Sequence, residues 1–331
     1  MLRIGLLGCG RIGQVHARSI KALDGARVVA VADAVPAAAQ ALAKTRGAEV
    51  RDVDAILSAS DIDAVIIGTP TDSHFEQIMG AAKHGKAIFC EKPIDMSVDN
   101  IRACMKAVSA AGVPFMTGFN RRFDPNFESL RARIRAGDIG AVELVTITSR
   151  DPSPPPVSYI ERSGGLFRDM MIHDFDMARF LMGEEFIRLH AVGSALVDPA
   201  IGAAGDVDTA AVILTTASGR ICQVSNSRRA SYGYDQRIEV HGAHGMLRAE
   251  NQLQSTVEIA TDAGFRRDPA QHFFLERYEA AYLAEMRAFI TAATGGASAD
   301  PGIVDGFRAQ IMADAATASR ESGQPVDLPA G

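Results

Sequence analysis

The sequence predicts an α/β protein in which a doubly wound parallel sheet is followed by an α+β domain with a large, open and mostly antiparallel sheet. Apolar runs of strand length alternate with helical patterns through residues 1–119, and a glycine-rich turn follows the first run. Longer alternating runs separated by short turns occupy the second half of the chain. A chain of 331 residues is long for one domain, so we expect two, at 1–119 and 120–331.

Composition and charge exclude several classes of protein. With 47% hydrophobic and 22% charged residues the chain is typical globular material, and no segment approaches the roughly 20 consecutive apolar residues of a membrane span. A net charge of -6 without clustered Lys and Arg argues against nucleic acid as a partner. The four cysteines are scattered, without a CxxC pair or a His at metal-ligand spacing. We therefore expect no metal site, and free thiols in a reducing cytoplasm.

A dinucleotide-binding turn is predicted directly after the first strand. Arg3–Leu7 is a short apolar run, and Gly8-Cys9-Gly10-Arg11-Ile12-Gly13 separates it from a helical pattern. A lone GxGxxG is weak evidence, but this one lies between a strand and a helix, as the Rossmann motif requires. Gly8 would permit the tight turn, Gly10 the close approach of a pyrophosphate, and Gly13 the packing of helix on strand. The helix N-terminus would bind that anion.

Asp33 indicates which nicotinamide cofactor is bound. It ends the apolar run Arg27–Ala32, twenty residues after Gly13, where a carboxylate can accept hydrogen bonds from both ribose hydroxyls. The same carboxylate would repel the 2′-phosphate of NADP, and no Arg or Lys follows in Ala34-Val35-Pro36-Ala37. NAD is therefore favoured. The alternative role for Asp33 is the N-cap of a helix that begins near Pro36.

Polar sequence follows two later strands. Three strand-like runs and two helical patterns are predicted, with strands at Ala64–Gly68, Ala87–Cys90 and Pro114–Gly118 and helices at Ser73–Lys83 and Val98–Ala110. Ligands of such sheets bind beyond the carboxyl ends of the strands, which carry Thr69-Pro70-Thr71-Asp72-Ser73-His74 and Glu91-Lys92-Pro93. The first segment can equally cap a helix, and His74 is either a cofactor-loop residue or a surface histidine.

Lys92 is a candidate catalytic cation. At a strand end it would project into the cleft, where a bound NAD⁺ disfavours a second positive charge unless a carboxylate balances it. Glu91 or Asp169 can supply that carboxylate. The alternative is a structural ion pair between Glu91 and Lys92 at the sheet edge.

The segment Gly164–Phe180, GGLFRDMMIHDFDMARF, is predicted to be one helix that carries an acid/base platform. It sets Asp169, His173 and Asp176 at i, i+4 and i+7, which places the three side chains on one helix face. An imidazole, with an ordinary pKa of about 6.5, is largely neutral at working pH and makes His173 the best base. The alternative for an isolated DxxxH is an amphipathic helix with a solvated acidic side.

The pattern changes after Gly118. FNRRFD at 119–124 leads into a helix that ends near Gly137, and a strand at Val142–Thr148 precedes a proline-rich loop at 149–156. Four later runs predict strands of a mostly antiparallel sheet, at Leu189–Leu196, Thr209–Thr215, Arg220–Ser225 and Arg237–His241. Two helices, at Phe274–Thr294 and Gly302–Ser322, complete the chain.

These features together resemble the glucose-fructose oxidoreductase and inositol dehydrogenase family over nearly the whole chain. The family motifs are the glycine-rich NAD turn, a Glu-Lys-Pro after the fifth strand and a DxxxH helix against an open sheet. Three longer blocks, GFNRRFDPNF, SRDPSPPP and SGGLFRDMMIHDFDMARF, are similar to the bacterial myo-inositol 2-dehydrogenases within that family. The resemblance implies NAD-dependent oxidation of myo-inositol at its 2-hydroxyl, a homotetramer built on the outer face of the second sheet, and a C-terminal helix that returns to the first domain.

The resemblance also implies roles for individual residues. The catalytic triad would be Lys92, Asp169 and His173. The cofactor-binding positions would be Gly8, Gly10, Arg11, Ile12, Gly13, Asp33, Thr69, Pro70, His74, Glu91 and Lys92. The polyol would contact Asn120, Arg121, Asp151 and Asp176, together with a sheet tyrosine that is either Tyr232 or Tyr234.

Three alternatives share these motifs. A related dehydrogenase would oxidise scyllo-inositol, D-chiro-inositol or an aldose such as glucose with the same triad. A relative with tightly held NAD would cleave glycosides without net release of NADH. A NAD-binding regulatory protein is the third reading, and it would be natural if Lys92 or His173 were missing.

Overall fold

The computed structural model describes residues 1–329, which fold into two compact units. The first unit consists of Met1–Phe123 and Ala280–Gln310. The second consists of Asp124–Glu279 and the chain from Ile311 onward. The first unit is therefore built from two separate stretches of sequence.

The first unit contains a six-stranded parallel sheet between two layers of helices. Its strands are β1 (Leu2–Leu7), β2 (Ala26–Ala32), β3 (Glu49–Val50), β4 (Ala64–Ile67), β5 (Ala87–Glu91) and β6 (Phe115–Gly118). The helices among them are α1 (Arg11–Lys21), α2 (Pro36–Arg46), α3 (Val53–Ser58), α4 (His74–Lys83) and α5 (Val98–Ala111). The strand order β3-β2-β1-β4-β5-β6, with every pair parallel, is that of a Rossmann sheet and confirms the predicted fold class.

Both faces of this sheet are buried, which explains why its strands are continuously apolar. In β4, Ala64 and Ile66 pack into one hydrophobic cluster, whereas Val65 and Ile67 pack into the cluster on the opposite face. All four residues are fully buried. A strand with this pattern requires helices on both sides, and the helices between the strands supply them.

The second unit is organised around a seven-stranded mixed sheet. The remaining elements of the chain are α6 (Pro125–Ala136), β7 (Val142–Arg150), α7 (Val157–Ser163), α8 (Gly165–Asp169), α9 (Ile172–Met182), β8 (Phe186–Ser194), α10 (Pro199–Ala203), β9 (Thr209–Thr216), β10 (Ile221–Ser227), β11 (Asp235–Gly242), β12 (Gly245–Ala249), β13 (Glu258–Thr261), β14 (Gly264–Arg267), α11 (Phe274–Arg277), α12 (Glu279–Ala293), α13 (Ile303–Ser322) and β15 (Val326–Asp327). Of these, α12 and α13 belong partly to the first unit. The sheet order is β12-β11-β7-β10-β9-β8-β15. Its β7–β10 pair is parallel and the others are antiparallel, so the predicted mostly antiparallel sheet is confirmed.

The prediction of a single helix over 164–180 is wrong. The chain forms α8 and α9, with a break at Met170 and Met171. The carbonyl of Leu166 accepts hydrogen bonds from the N–H groups of both residues, at 3.0 and 2.9 Å, so a wider i to i+5 turn interrupts the regular ladder. This turn allows Met170, Met171 and Ile172 to be buried together. The predicted helix at 274–294 is likewise divided at Tyr278 into α11 and α12.

Glu285 is an unusual component of the first unit. It lies in α12 with no exposed surface, and neither carboxylate oxygen has a hydrogen-bond partner within the described residues. Burial, and after it the negative charge of Glu91, raise the pKa of Glu285 well above its usual value. The folded chain therefore retains a proton that the unfolded chain releases above a pH of about 4.3. The stability that the protonated group provides is fully present below that pH and is lost as the pH rises.

We expect Glu285→Gln to stabilise the protein at alkaline pH, because the amide fills the same space and never ionises. Denaturation midpoints at pH 4, 6 and 8 measure the effect. The variant should be more stable than the parent protein by about 1 kcal/mol or more at pH 8, with little difference at pH 4. The exposed Glu279 offers the control Glu279→Gln, which should show no such trend. A Glu285→Gln difference that is constant with pH would contradict the assignment.

Candidate active site

The glycine turn between β1 and α1 has the geometry of a phosphate-binding turn. Gly8 has a φ of +93°, and a Cβ there would overlap the backbone of Gly68. A Cβ at Gly13 would overlap the carbonyl oxygen of Gly8, which explains the close approach of helix to strand. A Cβ at Gly10 would meet no atom within 4 Å, so the space in front of this residue is open.

The start of α1 suits an anion. Gly10 is the N-cap without a side-chain cap, and the first turn carries no acidic residue. Arg11 is exposed and Ile12 is half-buried at this end of the helix. Backbone N–H groups, the positive end of the helix dipole and open space at Gly10 together fit the pyrophosphate of NAD.

Asp33 lies directly after β2 and joins two turns. Its Oδ2 accepts a hydrogen bond from the Cys9 N–H at 2.6 Å, and its Oδ1 accepts one from the Val35 N–H at 2.7 Å. The N-cap of α2 is Val35, so the alternative reading of Asp33 as that N-cap is wrong. Each carboxylate oxygen keeps a further lone pair for a ligand hydroxyl. Asp33 is thus held beside the glycine turn in a form that fits a ribose.

His74 connects the turns that follow β4 and β5. It is 1% exposed, with Nε2 at 2.9 Å from the Thr69 carbonyl oxygen and Nδ1 at 3.0 Å from that of Pro93. Burial lowers the pKa of His74, and the two carbonyl contacts partly oppose that shift. The reading of His74 as a surface histidine is wrong. Thr69 is half-buried and Pro70 is exposed in the turn that the histidine anchors.

Lys92 follows β5, in a turn that begins with a buried hydrogen bond between Glu91 and a histidine. The preceding residue, Glu91, places Oε1 at 2.6 Å from Nε2 of His16, whose side chain is completely buried in α1. Lys92 itself is half-buried, and its peptide bond to Pro93 is cis. The side chain of Glu91 thus ties the end of β5 to the helix that follows the glycine turn.

Asn120 and Arg121 lie in a 3-10 turn, Asn120–Phe123, directly after β6. Their exposed fractions are 3% and 4%. Nδ2 of Asn120 is buried and has no hydrogen-bond partner in the described part of the chain. A buried amide donor of this kind is costly unless a ligand or water satisfies it.

The acid/base candidates of the second unit lie at the junction of α8 and α9. Asp169 ends α8, His173 lies in the first turn of α9, and Asp176 is fully buried one turn later. Asp169 and His173 are half-buried. The break between the helices therefore separates the first of the three side chains from the other two.

Two side chains that the sequence reasoning missed hold the Asp169 carboxylate. The hydroxyl of Tyr159 in α7 donates to Oδ1 at 2.9 Å, and both terminal nitrogens of Arg228 lie 3.4 Å from Oδ2. Tyr159 is 49% exposed overall, but desolvation of its hydroxyl, and then the Asp169 charge, raise its pKa above the usual range, so the hydroxyl stays a donor. Asp169 accepts from both sides. No local sequence pattern connects residues so far apart in the chain.

The remaining polyol candidates lie at strand ends of the second unit. Asp151 directly follows β7, and its N–H donates to the carbonyl of Ser227 at 3.0 Å. Tyr232 is 45% exposed, and its hydroxyl donates to Asp235 at 2.6 Å. Tyr234 is 6% exposed and packs edge to face with the Tyr278 ring at a centroid distance of 6.0 Å. The two tyrosines thus differ in exposure, and both remain candidates.

Across residues 1–329 no group of three or more His, Cys, Asp or Glu side chains is arranged to hold a metal ion. No described helix combines the length and apolar character needed to cross a bilayer.

Two family models match the chain. The model described as an oxidoreductase family with an NAD-binding Rossmann fold matches residues 2–119, and the model of the GFO/IDH/MocA C-terminal domain matches residues 127–248. The first unit is therefore an NAD-binding Rossmann domain. The second family model covers α6 through most of β12, the part that holds Asp169 and His173.

Similar proteins span the whole chain. An inositol 2-dehydrogenase of Rhizobium meliloti is 58% identical over 96% of each chain, and a myo-inositol 2-dehydrogenase of Thermotoga maritima is 42% identical over 99% of this chain and 98% of its own. The crystal structure of a protein described as a putative myo-inositol dehydrogenase from Sinorhizobium meliloti has a TM-score of 0.97 at 56% identity, covering 99% of this chain and 100% of its own.

Two similar structures contain ligands. A scyllo-inositol dehydrogenase from Lactobacillus casei with bound NAD(H) and scyllo-inositol has a TM-score of 0.93 at 30% identity, covering 99% of each chain. A myo-inositol dehydrogenase from the same organism, in complex with NAD(H) and myo-inositol, has a TM-score of 0.90 at 26% identity, covering 100% of this chain and 98% of its own.

We expect Asp33→Ala to weaken NAD binding and to reduce the preference for NAD over NADP by about tenfold or more, or roughly 1.4 kcal/mol. Removal of the carboxylate takes away both the ribose acceptor and the charge that repels a 2′-phosphate. Asp33→Asn removes the charge but keeps one acceptor oxygen, so it can still accept one of the two backbone hydrogen bonds and tests the charge with less disturbance of the turn. Titration of both cofactors by fluorescence measures the effect, and an unchanged preference in both variants would rule out the ribose role.

Proposed function

Because the chain belongs to the GFO/IDH/MocA oxidoreductase family, we propose that it oxidises the 2-hydroxyl of myo-inositol to give 2-keto-myo-inositol, with NAD as oxidant. The observation that carries this proposal is the 58% identity, over 96% of the chain, with an inositol 2-dehydrogenase. The blocks GFNRRFDPNF, SRDPSPPP and SGGLFRDMMIHDFDMARF support the same substrate class.

The cofactor would be bound by the carboxyl edge of the first sheet. Gly8, Gly10 and Gly13 form the turn for the pyrophosphate, Arg11 and Ile12 open the helix behind it, and Asp33 would accept from the ribose. The segments that follow β4 and β5 would contribute Thr69, Pro70, His74, Glu91 and Lys92. When bound, NAD⁺ supplies the acceptor for the hydride that leaves the carbinol carbon.

The proton of the reacting hydroxyl would pass to His173. We propose that the imidazole accepts it as the C–H electron pair leaves, so that the alcohol loses one hydride and one proton. Lys92 would donate a hydrogen bond to the oxygen as negative charge develops there. Asp169 would stabilise the imidazolium that results. These three residues make up the proposed triad.

The polyol would be recognised by polar side chains that include both hydrogen-bond donors and acceptors. A cyclitol carries hydroxyls in every direction and no charge, so its site needs both donors and acceptors. Asn120 brings a buried amide donor without a described partner, and Arg121 adds a buried cation. Asp151 and Asp176 would provide acceptors. One of the two tyrosines, Tyr232 or Tyr234, would complete the set.

A related polyol is the main alternative substrate. The similarity to a scyllo-inositol dehydrogenase with a TM-score of 0.93 supports that second candidate, with D-chiro-inositol and glucose as further members of the class. A redox-neutral glycosidase or a regulatory protein would release no NADH.

The first experiment is NADH absorbance after mixing protein and NAD⁺ with each of myo-inositol, scyllo-inositol, D-chiro-inositol and glucose. We expect kcat/KM for myo-inositol to exceed the others by about tenfold or more, or roughly 1.4 kcal/mol of transition-state discrimination. A higher kcat/KM for another polyol would change the proposed substrate. If none of the four polyols produced NADH, the proposed dehydrogenase activity would be contradicted.

We expect Lys92→Ala and His173→Ala to lower kcat by about a thousandfold or more while NAD binding stays within about twofold. Each variant removes a group that acts on the reacting hydroxyl. Matched controls are Lys83→Ala and His84→Ala, which replace exposed residues of the same types. Substantial turnover by either catalytic variant would refute its role.

The quaternary proposal is a homotetramer that buries the open face of the second sheet. That face exposes apolar side chains on neighbouring strands, including Leu144 (37%), Ile213 (52%), Ile221 (42%) and Val192 (56%). Leu144 and Ile221 are direct neighbours in the sheet register. Contiguous apolar side chains on a sheet face usually mark an interface. We also propose that the first domain ends at residue 119. Residues 120–331 would form the domain that binds the substrate and mediates oligomerisation.

We expect Ile213→Asp to dissociate the assembly, because a charge on the covered face loses hydration without gaining a partner. Light scattering should give about four times the subunit mass of 35.1 kDa for the parent protein and a smaller species for the variant. Val50→Asp, at an exposed apolar residue of the first unit, is the control. A parent protein that is monomeric would disprove the tetramer.

The proposed location is the cytoplasm. All four cysteines, Cys9, Cys90, Cys104 and Cys222, are buried free thiols, which suits a reducing compartment.

A further inference from the structure

We propose that Arg228 and Tyr159 are positioning residues that hold Asp169 as a fixed anion, so that Asp169 stabilises charge on His173 without carrying the proton itself. The inference rests on the proposed function, because it assigns roles around the proposed triad. It concerns the second unit alone. Neither the composition nor the sequence motifs indicated a functional role for Arg228 or Tyr159.

Arg228 has unusual surroundings for an arginine. It immediately follows β10, and its side chain is 1% exposed. Its backbone N–H donates to the Asp208 carbonyl at 2.8 Å, which fixes the start of the side chain. Arginine is almost never fully buried without a partner, because the desolvation of a guanidinium costs several kcal/mol. A carboxylate must therefore compensate this charge.

Within residues 1–329 the carboxylate found at salt-bridge distance from Arg228 is that of Asp169. Both terminal nitrogens lie 3.4 Å from the same oxygen, Oδ2. The side chain of Asp169 is 14% exposed, so solvent screens this pair weakly. The guanidinium thus lies on one side of the carboxylate and favours its ionised form.

Tyr159 completes the arrangement from the other side. Its hydroxyl donates to Oδ1 at 2.9 Å, from a helix that begins directly after the proline-rich loop. Two further charged groups of the same unit act on the pKa of the Tyr159 hydroxyl, because Arg228 lowers it and Asp151 raises it. Each oxygen of Asp169 is therefore held by a different element. A carboxylate with both oxygens engaged by donors cannot rotate freely, and it binds a proton only at the expense of these contacts.

The two residues would act through Asp169 without touching the substrate. In alcohol oxidation the imidazole of His173 gains a proton, and a fixed negative charge four residues earlier, at the end of the preceding helix, would stabilise the cation. If Asp169 moved or became protonated, that stabilisation would be lost in the transition state. Loss of Arg228 or Tyr159 should therefore lower kcat more than it raises KM for the polyol.

The test compares Arg228→Met, Arg228→Lys and Tyr159→Phe in full pH-rate profiles of kcat and kcat/KM with myo-inositol and NAD⁺. We expect Arg228→Met to lower kcat by about a hundredfold, Arg228→Lys to recover about tenfold of that loss, and Tyr159→Phe to lower kcat by about three- to tenfold. Removal of a positive charge or of a donor raises the pKa values of neighbouring acids and bases. The acid limb of the pH-rate profile, where the rate falls as the base becomes protonated, should therefore move to higher pH in Arg228→Met and by a smaller amount in Tyr159→Phe.

The control is Arg179→Met. Arg179 is a mostly buried arginine of the same unit, at 10% side-chain exposure, and it is paired with Glu185 at 2.5 Å. Its replacement should reduce stability and leave the acid limb in place. An equal shift in Arg179→Met would show that the limb reports a structural disturbance. Tyr159→Phe introduces no unpaired charge and remains informative if Arg228→Met fails to fold.

The inference would be overturned if kcat in Tyr159→Phe and in a folded Arg228→Met stayed within about twofold of the parent protein with unchanged acid limbs. It would also fail if Arg228→Lys were no better than Arg228→Met. Failure of the proposed function looks different, because the unmodified protein would then produce no NADH from any polyol. An Asp169→Asn variant with full activity would reject the role of Asp169 itself.

Discussion

Parallel strands end at the same edge of a sheet, and the candidate cofactor site depends on that constraint. Gly8, Asp33, Thr69 and Lys92 are separated by more than eighty residues of sequence, yet each follows a strand of the six-stranded sheet. The cross-links between these turns are short and polar, as in the contact of Asp33 with the Cys9 N–H. His74 joins the next pair of turns in the same way. The backbone order brings the residues to one edge, and these contacts fix them there.

Much of the first unit could be predicted because its signals are local. Each of these signals lies within about thirty residues of sequence: the apolar runs, the glycine spacing and the acid downstream of it. They were sufficient to predict the sheet, the turn and the cofactor class. The return of residues 280–310 depends on long-range packing, which periodicity does not encode. Met286 and Phe289 belong to the same hydrophobic cluster as Ile4 and Leu6 of the first strand.

The second unit shows where sequence reasoning ends. The spacing of Asp169 and His173 correctly drew attention to the segment, but an ideal helix was assumed between them. Burial of Met170, Met171 and Ile172 replaced one regular turn by a wider one. The partners of Asp169 come from a different helix and a strand end, at separations of 10 and 59 residues. Only tertiary structure brings such donors to one carboxylate.

The discontinuous first unit has a consequence for synthesis on the ribosome. When residue 123 has been made, every strand of the parallel sheet exists, but Met286, Phe289 and Ile290 of its hydrophobic cluster do not. One apolar surface of the nascent domain stays incompletely covered while about 160 further residues are translated, which takes on the order of ten to thirty seconds at bacterial and eukaryotic elongation rates. During that interval the emerging chain presents a surface suited to chaperones, and the dinucleotide-binding domain is completed only when residues 280–310 have been made.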